Sequence, residues 1–257
     1  MASEKQKVLI TGASGLIGGI TLRTLGGKYE FSALNRSSVS GVPCLQADIA
    51  DLDAIQPAFE GMDMVLHLSA YTHDVNGWEG TMSVNIAGTY NVFESARQHG
   101  VKRIVFASTG STMLGYEFDF PYGALAEGDY GKVPKVWPLV DYTMPVRPDS
   151  LYGVSKVFGE ALGRHYSDYY GISVLCIRLG AVLDTDKPKL RRQYPGYLSQ
   201  SDCSQMIDKC LSAPDSLRFD IFDAISDNRW RWRDTTHAEK VLGWKAEGSS
   251  DSLTMDS

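Results

Sequence analysis

The 257-residue chain is 43% hydrophobic and 22% charged, with a formal net charge of −6 at pH 7. This suits a globular protein, of a length for one large α/β domain or two small ones, and the acidic excess argues against nucleic acid as a partner. No apolar run reaches the length of a membrane span, and the polar residues 1–7 lead straight into the first apolar run, so neither membrane nor secretory segment is expected.

The first predicted strand covers 7–11 and runs into T-G-A-S-G-L-I-G-G, after which a helix covers 16–25. Strand, Gly-rich turn and helix N-terminus together make a phosphate cradle, because backbone N–H groups and the positive helix end point at an anion. Gly12 permits the tight turn, Gly15 the approach of a pyrophosphate, and Gly18 close helix–strand packing. Ser14, Leu16 and Ile17 belong to the same cradle. The spacing is G-x-x-G-x-x-G, not the general G-x-G-x-x-G, so an ordinary βα turn is the rival reading.

Further strands are predicted over 31–34, 44–46, 64–68, 103–107, 173–178 and 218–222. Helices are predicted over 52–60, 78–99, 151–170, 200–212 and 236–242. Short apolar strands alternating with amphipathic helices imply a doubly wound parallel sheet, which binds ligands beyond the carboxyl ends of its strands. The second strand ends in Asn35-Arg36-Ser37, with no carboxylate to repel a 2′-phosphate and an Arg that can pair with one. That favours NADP over NAD. The alternative is a solvated Arg in an exposed turn.

Asp48 and Ile49, after the third strand, would bracket an adenine, and Leu68-Ser69-Ala70, after the fourth, would pass beneath the cofactor. Asn85, in the next helix, could tie two strands together. The run 104–109 ends in Ser108-Thr109, and a hydroxyl there can hydrogen-bond a reacting oxygen. The irregular stretch 111–148 is rich in Gly, Pro, Tyr and acidic residues, a length that in a compact protein marks either function or disorder. Its aromatic residues, with Trp230 and Trp232, read as packing more than as ligand contacts.

Tyr152 and Lys156 stand at i and i+4, on one helix face. A phenol of pKa about 10 is a poor base at neutral pH, and a neighbouring ammonium is expected to favour the phenolate. Cys44, Cys176, Cys203 and Cys210 lack C-x-x-C spacing and read as reduced structural thiols of a cytoplasmic protein, with no metal site. Residues 248–257 read as a disordered tail.

T-G-A-S-G-L-I-G, the strand-end hydroxyl pair and Y-G-V-S-K, in this order, resemble the extended short-chain dehydrogenase/reductase, or NAD-dependent epimerase/dehydratase, family over nearly the whole chain. The resemblance implies one Rossmann-type domain over 1–257, with a small C-terminal substrate-binding part. It implies Thr109, Tyr152 and Lys156 as the catalytic triad and NADP or NAD as cofactor, with Leu179 beside it. Within the family the chain is similar to uronate dehydrogenases through I-V-F-A-S-T, R-P-D-S-L-Y-G-V-S-K, I-R-L-G and N-R-W-R-W-R-D.

That likeness implies Thr72, Ser108, Thr109, Ser111 and Arg192 as substrate contacts, Arg192 for a sugar-acid carboxylate, within a substrate region formed by 111–148 and 181–247. Gly110-Ser111 stands where those enzymes carry Asn-His, Ala181 where they carry Ser, and Asn35 where they carry an NAD-selecting acid; the segment from Thr109 to Tyr152 is longer. These departures touch substrate and cofactor choice, so an aldose-type dehydrogenase is expected more than a strictly uronate-specific one. The rivals are a sugar epimerase or dehydratase, a reductase of a non-sugar carbonyl, and a non-catalytic NADP-binding protein. Helices 78–99 and 151–170 are candidates to pair two copies.

Overall fold

Three consecutive apolar residues, all buried, suit a strand covered on both faces. Val8, Leu9 and Ile10 have no exposed surface. They form strand β1 (Lys7–Thr11) in a computed structural model that describes residues 5–253. The chain continues through α1 (Leu16–Leu25), β2 (Glu30–Asn35), β3 (Cys44–Gln46), α2 (Leu52–Ile55), β4 (Met64–His67), α3 (Trp78–Gly80), α4 (Thr89–Gln98) and β5 (Arg103–Thr109). It then forms α5 (Tyr122–Glu127), α6 (Leu151–Tyr170), β6 (Ser173–Leu179), α7 (Gln193–Gly196), α8 (Gln200–Leu211), β7 (Phe219–Ala224) and α9 (Thr236–Leu242).

All seven strands are parallel, in the order β3-β2-β1-β4-β5-β6-β7. The winding direction reverses between β1 and β4, and a crevice opens beyond their carboxyl ends. Side chains alternate across the sheet. Val8, Ile10, Leu66 and Val105 pack with Met206, Ile207 and Trp244 on one face. Leu9, Val65, Ile104 and Val174 pack with Val92, Phe93 and Tyr166 on the other.

The predicted elements are all present, with shifted limits. β2, β5, β6 and β7 run past their expected ends. The helix expected over 52–60 stops at Ile55 and tightens into a 3₁₀ turn, Gln56–Phe59, where Pro57 has no N–H for an α ladder. The helix expected over 78–99 is continuous but widens to π geometry over Thr81–Gly88.

The stretch 111–148 is not loose. Met113, Tyr116, Tyr122, Leu125 and Val140 close over Trp232 as a separate apolar cluster. The Val140 N–H donates to the Trp232 carbonyl at 2.7 Å, which staples the stretch to the C-terminal part. Tyr116, Tyr122 and Trp232 are therefore packing residues, as expected, whereas Phe118 and Phe120 are exposed. The disorder expected over 248–257 is corrected as far as residue 253. The buried carboxylate of Asp202 accepts from the Gly248 N–H at 3.0 Å, and buried Ser250 donates to the Tyr194 carbonyl at 2.9 Å. Residues 254–257 of that expectation, like residues 1–4 of the polar lead, lie outside the described residues. All four cysteines are free. Among the described residues no helix is long and apolar enough to cross a membrane.

Candidate active site

The turn after β1 is shaped by what it cannot contain. Gly12 has φ +73°, and a Cβ there would sit 2.8 Å from the Ser69 nitrogen at the end of β4. A Cβ on Gly18 would lie 2.5 Å from the Ala13 carbonyl oxygen, so only Gly lets α1 sit this close to the turn. α1 begins at Gly15 with no side-chain cap, and its first-turn N–H groups are left for an anion.

A cleft of about 720 Å³ runs along the carboxyl ends of the strands from this turn. Gly12, Ser14, Gly15, Leu16 and Ile17 line its centre; Asn35, Arg36, Ser37, Asp48 and Ile49 line one end. Leu68, Ser69, Ala70, Thr72, Ser108, Thr109, Tyr152, Lys156 and Leu179 line the other. Three expected residues lie elsewhere. Asn85 stands behind the cleft, where its side chain accepts from the Tyr71 N–H at 2.7 Å and donates to the Tyr71 carbonyl at 3.1 Å. It thus ties a helix to the loop after β4, not one strand to another. Ser111 and Arg192 line an adjoining pocket.

At the far end of β2, Asn35 Oδ1 accepts from the Ser14 hydroxyl at 3.1 Å, and its amide donates to the Ser37 carbonyl at 2.9 Å. Arg36 is exposed and has no side-chain partner among the described residues.

α6 carries Tyr152 and Lys156, two of the three residues expected to be catalytic. Ser150 caps its start by accepting from the Gly153 N–H at 3.1 Å, and the Tyr152 N–H donates to the Val75 carbonyl at 2.8 Å. A Cβ on Gly159 would fall 2.2 Å from the Phe106 ring, so glycine lets the helix press onto β5. Tyr152 thereby meets Thr109 at the end of β5. The Thr109 hydroxyl accepts from the Ser111 N–H at 3.2 Å, which leaves its proton for the Tyr152 oxygen.

Lys156 is buried, with Nζ 5.6 Å from the centre of the Tyr152 ring and 4.9 Å from that of Phe106. It makes no ion pair among the described residues. Burial pushes the Tyr152 phenol up to about 12, against the pull of the Thr109 hydrogen bond, and pushes the Lys156 ammonium down to about 8. In the protein alone, burial is the dominant influence on this phenol.

Ser108 does not share the role of Thr109. Its hydroxyl donates to Glu160 at 2.6 Å in a buried group completed by Arg178. Ser108 lines the cleft, but its hydroxyl proton is committed to Glu160.

The adjoining pocket, about 260 Å³, shares Thr109, Leu179 and Gly180 with the cleft and adds Ser111, Glu117, Arg192, Trp232 and Arg233. Glu117 and Arg233 escaped the sequence reading: Glu117 lies in no motif, and Arg233, though within N-R-W-R-W-R-D, was given no role there. An uncapped helix end, a cradle that a Cβ would fill and a buried, unpartnered ammonium fit a dinucleotide; the adjoining pocket fits a small polar molecule.

Comparisons with known proteins agree with this geometry. The model of the NAD dependent epimerase/dehydratase family matches residues 8–201. L-arabinose 1-dehydrogenase (NAD(P)(+)) of Haloferax volcanii is 33% identical, over 95% of this chain and 97% of its own. Uronate dehydrogenase of Pseudomonas putida is 32% identical, over 96% of this chain and 86% of its own. The crystal structure of uronate dehydrogenase from Agrobacterium tumefaciens superposes with a TM-score of 0.80 at 31% identity, over 96% of this chain and 86% of that one.

Proposed function

The chain belongs to the NAD dependent epimerase/dehydratase family, and from that premise we propose that it is an NAD(P)-dependent dehydrogenase of a small, unactivated sugar or sugar acid. The carrying observation is that Thr109, Tyr152 and Lys156 meet where a dinucleotide-sized cleft joins a pocket of only about 260 Å³. Ligand pockets commonly span about 300–1,000 Å³. So small a pocket favours a monosaccharide over a nucleotide sugar, in keeping with the named activities of the relatives at 32–33% identity.

In this reading the amides of Leu16 and Ile17 at the start of α1 hold the pyrophosphate, with Ser14 and Gly15 beside it, and Asn35, Arg36 and Ser37 hold the adenosine ribose, with Arg36 favouring a 2′-phosphate. Asp48 and Ile49 flank the adenine, and Leu68, Ser69, Ala70 and Leu179 line the path to the nicotinamide. A bound oxidised nicotinamide would supply the hydride acceptor and a positive charge beside the phenol. Tyr152 removes the proton of a substrate hydroxyl, the anomeric one for an aldose. Thr109 donates to the same oxygen as it becomes a carbonyl. Lys156 holds the ribose. The product of a cyclic sugar is a lactone.

The chain is read as one domain, its substrate region built from 111–148 and 181–247. A reducing, cytoplasmic setting suits its free thiols. Exposed Met82, Tyr90 and Val154 on the two long helices would be covered by a second copy.

The test is a panel of aldoses and uronic acids with NAD⁺ and NADP⁺, read by absorbance of the reduced nicotinamide. At least one sugar should be oxidised, and Tyr152→Phe should lower kcat about 10²-fold or more while nucleotide binding by calorimetry persists. Retained turnover in that variant overturns the reading. So does tightly held nicotinamide with no net reduction, which is the mark of an epimerase.

A further inference from the structure

We infer that Glu117 sets the specificity of the sugar pocket: it holds Arg192 away from any substrate carboxylate and offers a free oxygen to sugar hydroxyls, so that neutral aldoses are preferred to uronic acids. This rests on the dehydrogenase reading above and concerns the same pocket.

Arg192 faces the pocket but is already engaged. Its Nε donates to Oε2 of Glu117 at 2.9 Å, and its Nη2 donates to Oδ2 of Asp149 at 2.9 Å. These two N–H groups lie along one of the two edges of the guanidinium that can grip a carboxylate in a bidentate pair. Arg192 with its two carboxylates is already net negative, and a uronate would bring a third carboxylate to the same cation. The other cation of the wall, Arg233, is also committed: its Nη1 donates to Asp223 at 2.7 Å, and it is 3% exposed. Three carboxylates therefore face two guanidiniums. Such an arrangement selects against an anion by repulsion as much as for a neutral molecule by contact.

Glu117 is suited to the attractive half of this choice. Its side chain is only 13% exposed, so it is held in place and not swept through solvent. Oε2 is occupied by Arg192, while Oε1 has no partner among the described residues and is an acceptor on the pocket wall. Sugar hydroxyls are donors, and a fixed carboxylate oxygen takes them strongly.

The experiment measures kcat/KM of the full-length enzyme with NADP⁺ for D-galactose against D-galacturonate and for D-glucose against D-glucuronate. Within each pair the ring stereochemistry is the same. The wild type should favour the aldose at least tenfold. Glu117→Gln should narrow that ratio at least tenfold, chiefly through a lower KM for the uronate, because Arg192 is then released on one side. Asp149→Asn releases it on the other side and should move the ratio in the same direction, which keeps the test open if Glu117→Gln fails to fold. A wild-type ratio of one or below overturns the inference and leaves the dehydrogenase reading standing. An unchanged ratio in a variant that melts like the wild type does the same. If protein that binds NADP⁺ oxidises no member of either pair and no other sugar, the dehydrogenase reading falls, and this inference with it.

Discussion

The Ser108 hydroxyl donates to Oε1 of Glu160 at 2.6 Å, and Glu160 is gripped in turn by Nε and Nη2 of Arg178, each at 2.8 Å. All three residues are buried. Adjacent hydroxyls at the end of β5 therefore have different work: Ser108 satisfies a buried ion pair, and Thr109 faces the phenol. Thr109→Val should lower kcat about 10²-fold, the loss of one aimed donor, with little change in unfolding midpoint. Ser108→Ala should instead destabilise by about 1–3 kcal/mol, because it strips a partner from a buried carboxylate, and should lower kcat far less. Steady-state kinetics and urea unfolding on both variants decide it; equal losses of kcat would dismiss the division of labour.

Lys156 is an ammonium kept where water is scarce. It is 3% exposed, pairs with no carboxylate among the described residues, and burial brings it down to about 8 from 10.5. The unfolded chain binds this proton more tightly than the folded one, so the cost to stability is complete below pH 8 and fades as pH rises toward 10.5. By linkage that cost is about 3 kcal/mol. Lys156→Met should thus abolish turnover yet raise the melting temperature of the nucleotide-free protein at pH 7, and the gain should shrink by pH 10. Each kcal/mol is worth about 2–4 °C at this chain length. A lower melting temperature at pH 7 would contradict the sign.

The features legible in the sequence were those carried by local periodicity. A buried strand, a glycine turn and a Tyr–Lys pair one helical turn apart each fit within a dozen residues, and their geometry follows from backbone rules alone. The environment of Arg192 was not legible, because its partners lie 75 and 43 residues away, one of them in a stretch without period. The order of that stretch depends on Trp232, which arrives from the far end of the chain. Residues 248–253 look soluble by composition, yet their polar groups are matched by buried Asp202 and by Tyr194, a pairing that only tertiary structure reveals. The Tyr–Lys pairing was legible, but the burial of both groups, which moves each of them, cannot be summed from sequence.

Asn35 holds its oxygen toward Ser14, at 3.1 Å from the hydroxyl, and its amide toward Ser37. Asn35→Asp would keep the acceptor, lose the donor and place a negative charge where a 2′-phosphate would lie. It should lower kcat/KM for NADP⁺ at least tenfold and leave NAD⁺ unharmed. Arg36→Ala should cost about tenfold with NADP⁺ alone, the worth of one charge-assisted hydrogen bond of about 1.5 kcal/mol. Parallel kinetics with both nucleotides check this; an equal loss with each would deny Arg36 a phosphate.

His67 is fully buried beneath the glycine turn, with Nδ1 2.7 Å from the Thr11 hydroxyl and Nε2 3.2 Å from the Thr89 hydroxyl. Burial, helped by the charge of Lys156, brings the imidazole down to about 3 from 6.5. The ring is neutral in the folded protein, and the unfolded chain takes up the proton first. Its contribution is therefore complete above pH 6.5 and is lost as pH falls toward 3. Across that window this residue alone gives a slope of about 1.4 kcal/mol per pH unit. His67→Gln should be less stable than the wild type at pH 7, since the packing is disturbed, but its stability should fall less steeply between pH 6.5 and 4.5. Carboxylates titrate in the same range in both proteins, so the difference between the two slopes isolates the imidazole. Urea midpoints measured against pH give both slopes, and identical slopes would mean that His67 does not set the acid sensitivity of the fold.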